Sequence, residues 1–460
     1  MSEQVGEPES GAERQEPAPA LGPAAPAPAS ARPAGAGGPR RILSVIGPGL
    51  ITGAADDDPS GIATYVQTGA LFGYAQLWTA LFVLPLLTAV QEASARLGAV
   101  TGRGLAAVMR DRYGVRLVYA MIALLLLANT INIGADIGAM GAAAQLLVPL
   151  PLLLLTVVFA VVMVAFEVFL SYRAYARILK WLTLSLLAYP ITVFVVHEDW
   201  GTLLRATFVP HLEFTPAYLF IITGVLGTTI TPYMFFWESS QEVEEERSQG
   251  LLRKGRRPRI GPDKIWDLRI DNIGGMLASQ AVTWCIIVVG ASVLNASGVT
   301  SVNSAADAAR ALVPLVHTFP HAGTLAEVLF VTGIVDLGLL AVPVLSASSA
   351  YAVSEVTGWP EGLSLKLEKA HGFYGVIALG TLVGLLINFI GLNPVKMLVV
   401  AAVVNGIVAP PLIAVLALLS RSSDVMGRYR SGWLSTSLVW LACAGMAAAA
   451  LGLLVSVVRQ

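Results

Sequence analysis

Asp56, Asp57 and Asp58 stand side by side, followed by Pro59, Ser60 and Gly61, inside an otherwise apolar stretch. Adjacent carboxylates are hard oxygen ligands, and backbone carbonyls freed beside a proline complete a set suited to Mg²⁺, Mn²⁺ or Ca²⁺. The alternative is a solvated loop between two short helices. Against it, the flanking runs 43–55 and 61–72 are each too short to cross a bilayer alone, so the aspartates fall inside one interrupted span. A charge at that depth costs about 2.5–3.5 kcal/mol on insertion scales, and a bound cation offsets it. Asp58 is the first choice of ligand, because Pro59 disfavours helical geometry before it and lets its carboxylate and carbonyl turn inward. Asp56 and Asp57 are further ligands, a cation-attracting vestibule or proton carriers. Three successive residues cannot all face one site on a regular helix, so at least one points elsewhere unless the segment is unwound.

A second polar break occurs at Thr228-Thr229-Ile230-Thr231-Pro232. Thr228 and Thr231 share a helical face and offer hydroxyls or carbonyls, although threonines at such spacing also bond to their own backbone. Pro232 frees a carbonyl one turn earlier. Glu238 and Glu242 follow at i, i+4 spacing, either as an exit path or as snorkelling acids. Asp136, with Asn129 and Asn132 on the same face, forms a polar stripe expected to face the bundle interior. The stripe reads as a proton or ion relay, or as hydrogen-bond glue between helices. Asp336 and Asn405 are read as structural, and Cys285 and Cys443, with no CxxC pattern or nearby histidine, as packing residues.

The elements that hold these residues are membrane helices. Hydrophobic residues make up 55% of the 460, and charged residues only 13%, too apolar for a soluble chain of this length. Eleven spans are expected, near 42–72, 75–99, 117–147, 150–171, 176–197, 215–240, 272–296, 322–352, 372–392, 394–419 and 432–457. The first and sixth are interrupted at corresponding places, five helices apart. Such a pair marks an inverted-repeat transporter with a site near the bilayer midplane, since unsatisfied backbone is tolerated there only where it lines a cavity. The expected fold is therefore all-α and polytopic, a 5+5 inverted repeat of the leucine-transporter type plus one extra helix. Repeat one covers about 42–197, repeat two about 215–419, and the extra helix about 432–457. The polar stretch from Glu242 to Asp271 reads as a solvated loop.

The net charge of −1 conceals a local bias. Arg40 and Arg41, Arg96 to Arg116, Arg173 to Lys180, Arg253 to Lys264, Lys366 with Lys369, and Arg421 to Arg430 fall on alternate loops. With an odd helix count the bias places the N-terminus in the cytoplasm and the C-terminus outside. Residues 1–40, rich in Pro, Ala, Gly and Glu, read as a disordered cytoplasmic tail, without the basic start and apolar core of a signal peptide. Nothing suggests nucleic acid as a partner; membrane lipid, a divalent ion and protons are the expected ones, for a monomer in a bacterial-type plasma membrane.

These residues resemble the natural resistance-associated macrophage protein (Nramp) family of metal-ion transporters. The likeness rests on Gly47-Pro48, Asp58-Pro59, Ala63-Thr64 and Gly73-Tyr74…Leu77-Trp78 in the first span. It continues through Gln91…Arg96-Leu97-Gly98…Thr101-Gly102…Leu105-Ala106 after the second span, Asp136, Pro232, and Ser423-Asp424…Met426-Gly427. The resemblance implies metal ligation by Asp58, by carbonyls near Ala55 and Thr228, and at position 231. Departures are equally specific. Ser60-Gly61 replaces the family's Gly-Asn, Thr231 its metal-binding methionine and Thr228 its alanine; Tyr233 and Glu238 stand for its histidines, and Asn129 and Ala139 for third-helix acids. Loss of the soft thioether shifts the expected cargo toward Mg²⁺ or Mn²⁺, with Fe²⁺ less favoured; proton coupling is left open.

No enzyme chemistry is expected, and no cofactor beyond the transported ion. An amino-acid or organic-ion symporter of the same fold conflicts with three aspartates at its carboxylate-binding position. An intramembrane Mg²⁺-dependent enzyme would need a second aspartate-rich motif, which does not follow Asp58, and a metal sensor would need a large output domain.

Overall fold

The computed structural model describes Gly53 and residues 57–169, 186–196, 198–248, 250–252, 258, 260–317 and 321–459. Among the described residues every regular element is a helix. The longer ones are α1 (Pro59–Phe72), α2 (Trp78–Thr101), α3 (Leu105–Arg112), α4 (Val115–Ala144), α5 (Leu152–Phe169), α6 (Ala188–Val196) and α7 (Trp200–Phe208). They continue with α8 (Pro216–Thr229), α9 (Pro232–Ser248), α10 (Pro262–Val289), α11 (Ala322–Thr357), α12 (His371–Ile387), α13 (Pro394–Arg421) and α14 (Trp433–Val458). Local chemistry sets the boundaries. Pro59, Pro216, Pro262 and Pro394 occupy the first turn of their helices, where a missing N–H leaves no extra vacancy. Asp58, Thr215 and Asn393 cap the following amides through their side chains. Gly102 and Gly358 end α2 and α11 in the left-handed conformation.

Eight described helices are long and apolar enough to cross a membrane, counting α8 with α9 as one broken span and α10 with its π-helical end Gly290–Asn295 as another. The first and fifth expected spans are represented by α1 and α6 alone, and the N-terminal tail lies outside the described residues. The fold is the expected all-α bundle: the sixth span is interrupted between α8 and α9, and α1 starts after the non-helical Asp57 and Asp58.

Two groups of helices form the bundle. α4 packs on α5, α11 and α12, with α11 on α12. α1 packs on α8 and α10, while α2 packs on α9 and α10. α13 touches both groups through α4 and α8. Lipid supplies no hydrophobic drive between such helices, so close backbone approach and polar contacts hold them together. Glycine makes that approach possible at the α8–α13 crossing, where a Cβ on Gly227 would sit 2.1 Å from the Ala402 carbonyl oxygen and 2.3 Å from the Gly406 nitrogen.

The expected Glu242–Asp271 loop is shorter than the sequence suggests. α9 runs on to Ser248, and α10 starts at Pro262. Lys264 explains the continuation, lying 3.2 Å from Glu242 and 3.4 Å from Glu245 across the two helix ends. Glu242, read as a possible exit-path acid, is thus a buried partner of that lysine.

Because the α8–α13 contact has no room for a methyl group, Gly227→Ala is expected to destabilise the protein by about 1–3 kcal/mol. Gly445→Ala on α14 meets nothing within 4 Å and is expected to leave stability unchanged or slightly raised. Melting temperatures of the two purified variants distinguish these outcomes.

Candidate cation site

α1 begins where the aspartates end. Asp58 is its N-cap in an extended conformation, with φ −69° and ψ 170°, the geometry favoured before proline. Its Oδ1 accepts from the Gly61 amide at 2.7 Å and the Ser60 hydroxyl at 2.6 Å. The carboxylate therefore sits against the positive end of the helix. On the other broken span, α8 stops at Thr229, Ile230 leaves helical geometry at φ −113° and ψ 72°, and α9 restarts at Pro232. Pro232 has no N–H, so the Thr228 carbonyl lacks its i+4 donor.

The two breaks meet at Asp58. Thr228 Oγ1 lies 3.4 Å from Asp58 Oδ1 and 3.3 Å from Ser60 Oγ. Tyr233, in the first turn of α9, donates to Oδ2 at 3.3 Å. From α4, the Asn132 amide donates to the same oxygen at 2.9 Å. Tyr65 of α1 and Thr229 of α8 share a hydroxyl–hydroxyl bond of 2.9 Å beside this cluster. Asp58, Thr228, Tyr233 and Asn132 are each 0% exposed, so four elements converge on a single buried carboxylate.

The remaining sequence candidates divide. Thr231, in the gap between α8 and α9, is buried with no hydrogen-bond partner for its hydroxyl. Asn132 Oδ1 and both oxygens of Asp136, one turn further along α4, are likewise buried and unpartnered. Asp57 turns the other way, accepting from Ser279 of α10 at 3.2 Å. Asn129 donates to the Leu345 carbonyl and to Ser348 and Ser349 of α11 at 2.8–3.1 Å, the role of interhelical glue. Glu238 is buried in the middle of α9. Ala55 and Asp56 lie outside the described residues. Asp336 and Asn405, read as structural, are both buried, Asn405 with its amide atoms unpartnered.

Two contributors had no ligand or positioning role in the sequence reading, Ser60 and Tyr233. The signal for Ser60 was its place just after an Asp-Pro cap. For Tyr233 it was adjacency to the breaking proline. Among the described residues no three His, Cys, Asp or Glu side chains come close enough to chelate a metal together. A cation here would take one carboxylate and complete its shell with hydroxyls, carbonyls, an amide oxygen and water, a hard-oxygen set.

Residues 49–456 match the natural resistance-associated macrophage protein-like family. The chain belongs to the Nramp family. Its Nramp relatives include the divalent metal cation transporter MntH of Deinococcus radiodurans, 27% identical over 404 residues, which are 86% of this chain and 85% of that protein. A protein of the same description from Mesorhizobium japonicum is 30% identical over 308 residues, 65% of this chain and 64% of its own length. In fold, this Nramp chain resembles a manganese transporter of Eremococcus coleocola, with a TM-score of 0.69 at 16% identity over 90% of this chain and 86% of that one. Mhp1, a nucleobase-cation-symport-1 family transporter, has the same arrangement more loosely, with a TM-score of 0.54 at 13% identity over 91% and 90% of the two chains.

The Asn132 bond to Asp58 is shorter than that from Tyr233. Asn132→Leu removes a donor from a buried charged group and is expected to cost about 1.5–3 kcal/mol, against about 1 kcal/mol or less for Tyr233→Phe. Equal shifts in melting temperature would argue against Asn132 as the principal anchor of the carboxylate.

Proposed function

We propose that this chain carries a divalent cation across the membrane by alternating access, with Mg²⁺ or Mn²⁺ as preferred cargo and Asp58 as the charged ligand. The observation that carries the reading is the meeting of both broken helices at Asp58 with oxygen-rich surroundings. Nramp relatives named as divalent metal cation transporters support the cargo class, and membership of a transporter family sets aside the intramembrane enzyme.

The donor set favours a hard ion. At the break stands Thr231, whose free hydroxyl offers oxygen where a thioether would favour softer metals. Met234, one turn on, is fully buried in the apolar core. A single carboxylate with neutral oxygens leaves room for several retained waters, as Mg²⁺ demands and Mn²⁺ tolerates. With Asp57 turned toward α10, it belongs to the surroundings of the site. Ala55 and Asp56 remain proposed ligands on their position in the sequence alone.

Alternating access follows from how the helices are grouped. The site lies between the broken spans, α1 with α8 and α9, and α4 of the other group. Rocking one group against the other changes which side of the membrane the cavity meets. By the charge rule the arginine-rich end faces the cytoplasm.

Charge balance gives Asp136 a role. A divalent ion at Asp58 retains one uncompensated positive charge, and a second carboxylate on α4 answers it. When no ion is bound, a buried carboxylate with neither oxygen bonded calls for a proton or another cation. Asp136 is therefore the proposed proton carrier, and Glu238 lies along the same proposed route.

Uptake of Mg²⁺, Mn²⁺, Fe²⁺ and Ca²⁺ into proteoliposomes, with internal pH recorded, tests these statements. Asp58→Ala is expected to abolish uptake of every ion; wild-type rates in that variant would reject the site. Thr231→Met is expected to raise the Mn²⁺/Mg²⁺ uptake ratio about tenfold, the scale of one added contact near 1.4 kcal/mol. Asp136→Asn is expected to retain metal uptake while the accompanying pH change disappears, and a persistent pH signal would move the proton elsewhere.

A further inference from the structure

At the arginine-rich end of the bundle, away from the buried break, lies a cavity of about 500 Å³. Its lining includes Arg96, Arg269, Arg428, Arg430, Asp263 and Trp266. We infer that this cavity binds a phosphoryl group, carried by an anionic lipid headgroup or by a free phosphate compound.

The charge count comes first. Four guanidinium groups meet two carboxylates, Asp263 in the lining and Glu92 behind it, leaving two positive charges over. Glu92 bridges two of the arginines, accepting from Arg96 at 2.9 Å and from Arg269 at 2.8 Å. Arg428 and Arg430, both exposed, supply the surplus.

The cavity is also built, with a rigid floor and wall. Arg96 is 2% exposed, its Nη2 donates to Ser431 at 2.7 Å as well as to Glu92, and its buried Nε–H has no partner. A spare donor on a buried guanidinium that lines a cavity is matched by an anionic acceptor. The wall is held by the loop between α13 and α14. The Ser431 amide donates to the Ser420 carbonyl at 2.8 Å, and the Tyr429 hydroxyl donates to the Ile260 carbonyl at 2.9 Å. Arg428 lies over the Tyr429 ring, 4.8 Å from its centroid, and donates to its hydroxyl at 2.7 Å. This contact holds a guanidinium in place before a ligand arrives, and the planar fork matches phosphate oxygens in pairs.

Two tryptophans indicate how a lipid could reach the cavity. Trp266 in its lining is 58% exposed, and Trp433 at the start of α14 is 76% exposed. Such rings settle at headgroup depth, and basic pockets at that level on the cytoplasmic side recognise anionic headgroups.

The test uses the full-length protein in uncharged detergent, titrated separately with phosphatidylglycerol, phosphatidylcholine and inorganic phosphate while the melting temperature is followed. Saturable stabilisation by phosphatidylglycerol without phosphate assigns the lipid headgroup, and saturation by phosphate assigns a soluble phosphoryl ligand. The double variant Arg428→Ala with Arg430→Ala is expected to weaken the apparent affinity about thirtyfold, the loss for two basic side chains at an anionic surface. A control, Arg116→Gln with Lys366→Gln, removes two exposed charges elsewhere and is expected to bind as wild type. Absence of saturable binding, stabilisation by phosphatidylcholine equal to that by phosphatidylglycerol, or equal losses in both double variants overturns the inference. None of these readouts depends on transport.

Discussion

Everything at the centre of this protein turns on placing a carboxylate where lipid would otherwise forbid it. Asp58 is fully buried and receives five donors: the Ser60, Thr228 and Tyr233 hydroxyls, the Gly61 amide and the Asn132 side chain. An ionised carboxylate has about four lone-pair positions, so this one is saturated. Those donors come from α1 and its cap, α4, α8 and α9, and each of those elements must keep its position for the charge to be tolerated. Interrupting the helices is part of the same arrangement. An unbroken first span would carry Asp58 on a regular turn, without a free helix end and its unpaired amides facing the acid.

Helix packing answers to that constraint. Gly227 and Gly406 let α8 and α13 approach backbone to backbone just before the second break. A comparable approach joins Gly69 of α1 to the π-helical end of α10, where an added Cβ would meet the Ile287 carbonyl oxygen at 2.3 Å. Asn295 strengthens this contact by donating to the Ala70 carbonyl at 2.8 Å. Both half-helices that reach Asp58 are thus pinned by contacts with no spare volume, α8 beside the acid's partner Thr228 and α1 further along its length. A bundle packed so closely shifts as groups of helices, in discrete steps, which is what the proposed alternating access requires.

Periodicity and proline made the architecture legible in the sequence: apolar runs gave the spans, and Asp58-Pro59 and Thr231-Pro232 marked the two breaks. What could not be read were side-chain directions around an unwound segment. Three consecutive aspartates carry no helical phase once regular geometry is lost: Pro59 singled out Asp58, which faces α4 and α9, but nothing in the sequence told where Asp57 turns, which is toward Ser279. Asn129 and Asn132 share a face, yet one joins α4 to α11 and the other holds the acid, because partners on other helices decide their use. The Glu242–Asp271 stretch misled for a different reason. Charge was taken as a sign of solvation, whereas Lys264 pairs the glutamates and allows both helices to continue.

The groups around Asp58 also bear on how, in the proposed reading, it would take up and release a cation. Three of its five donors are hydroxyls, and a hydroxyl that gives its proton to a carboxylate can rotate and present a lone pair instead. The two longest contacts, from Thr228 at 3.4 Å and Tyr233 at 3.3 Å, are the ones most easily given up. Thr228 has one proton to divide between Asp58 and Ser60, so it is already the weakest holder. The backbone amide of Gly61 and the amide nitrogen of Asn132 can only donate, and their shorter bonds keep the carboxylate oriented while the hydroxyls turn. Without an ion the acid is satisfied by protein groups alone. In the proposed reading, an arriving cation would find oxygen lone pairs on the same hydroxyls at little cost in backbone movement, and would supply the opposite charge that neutral donors cannot.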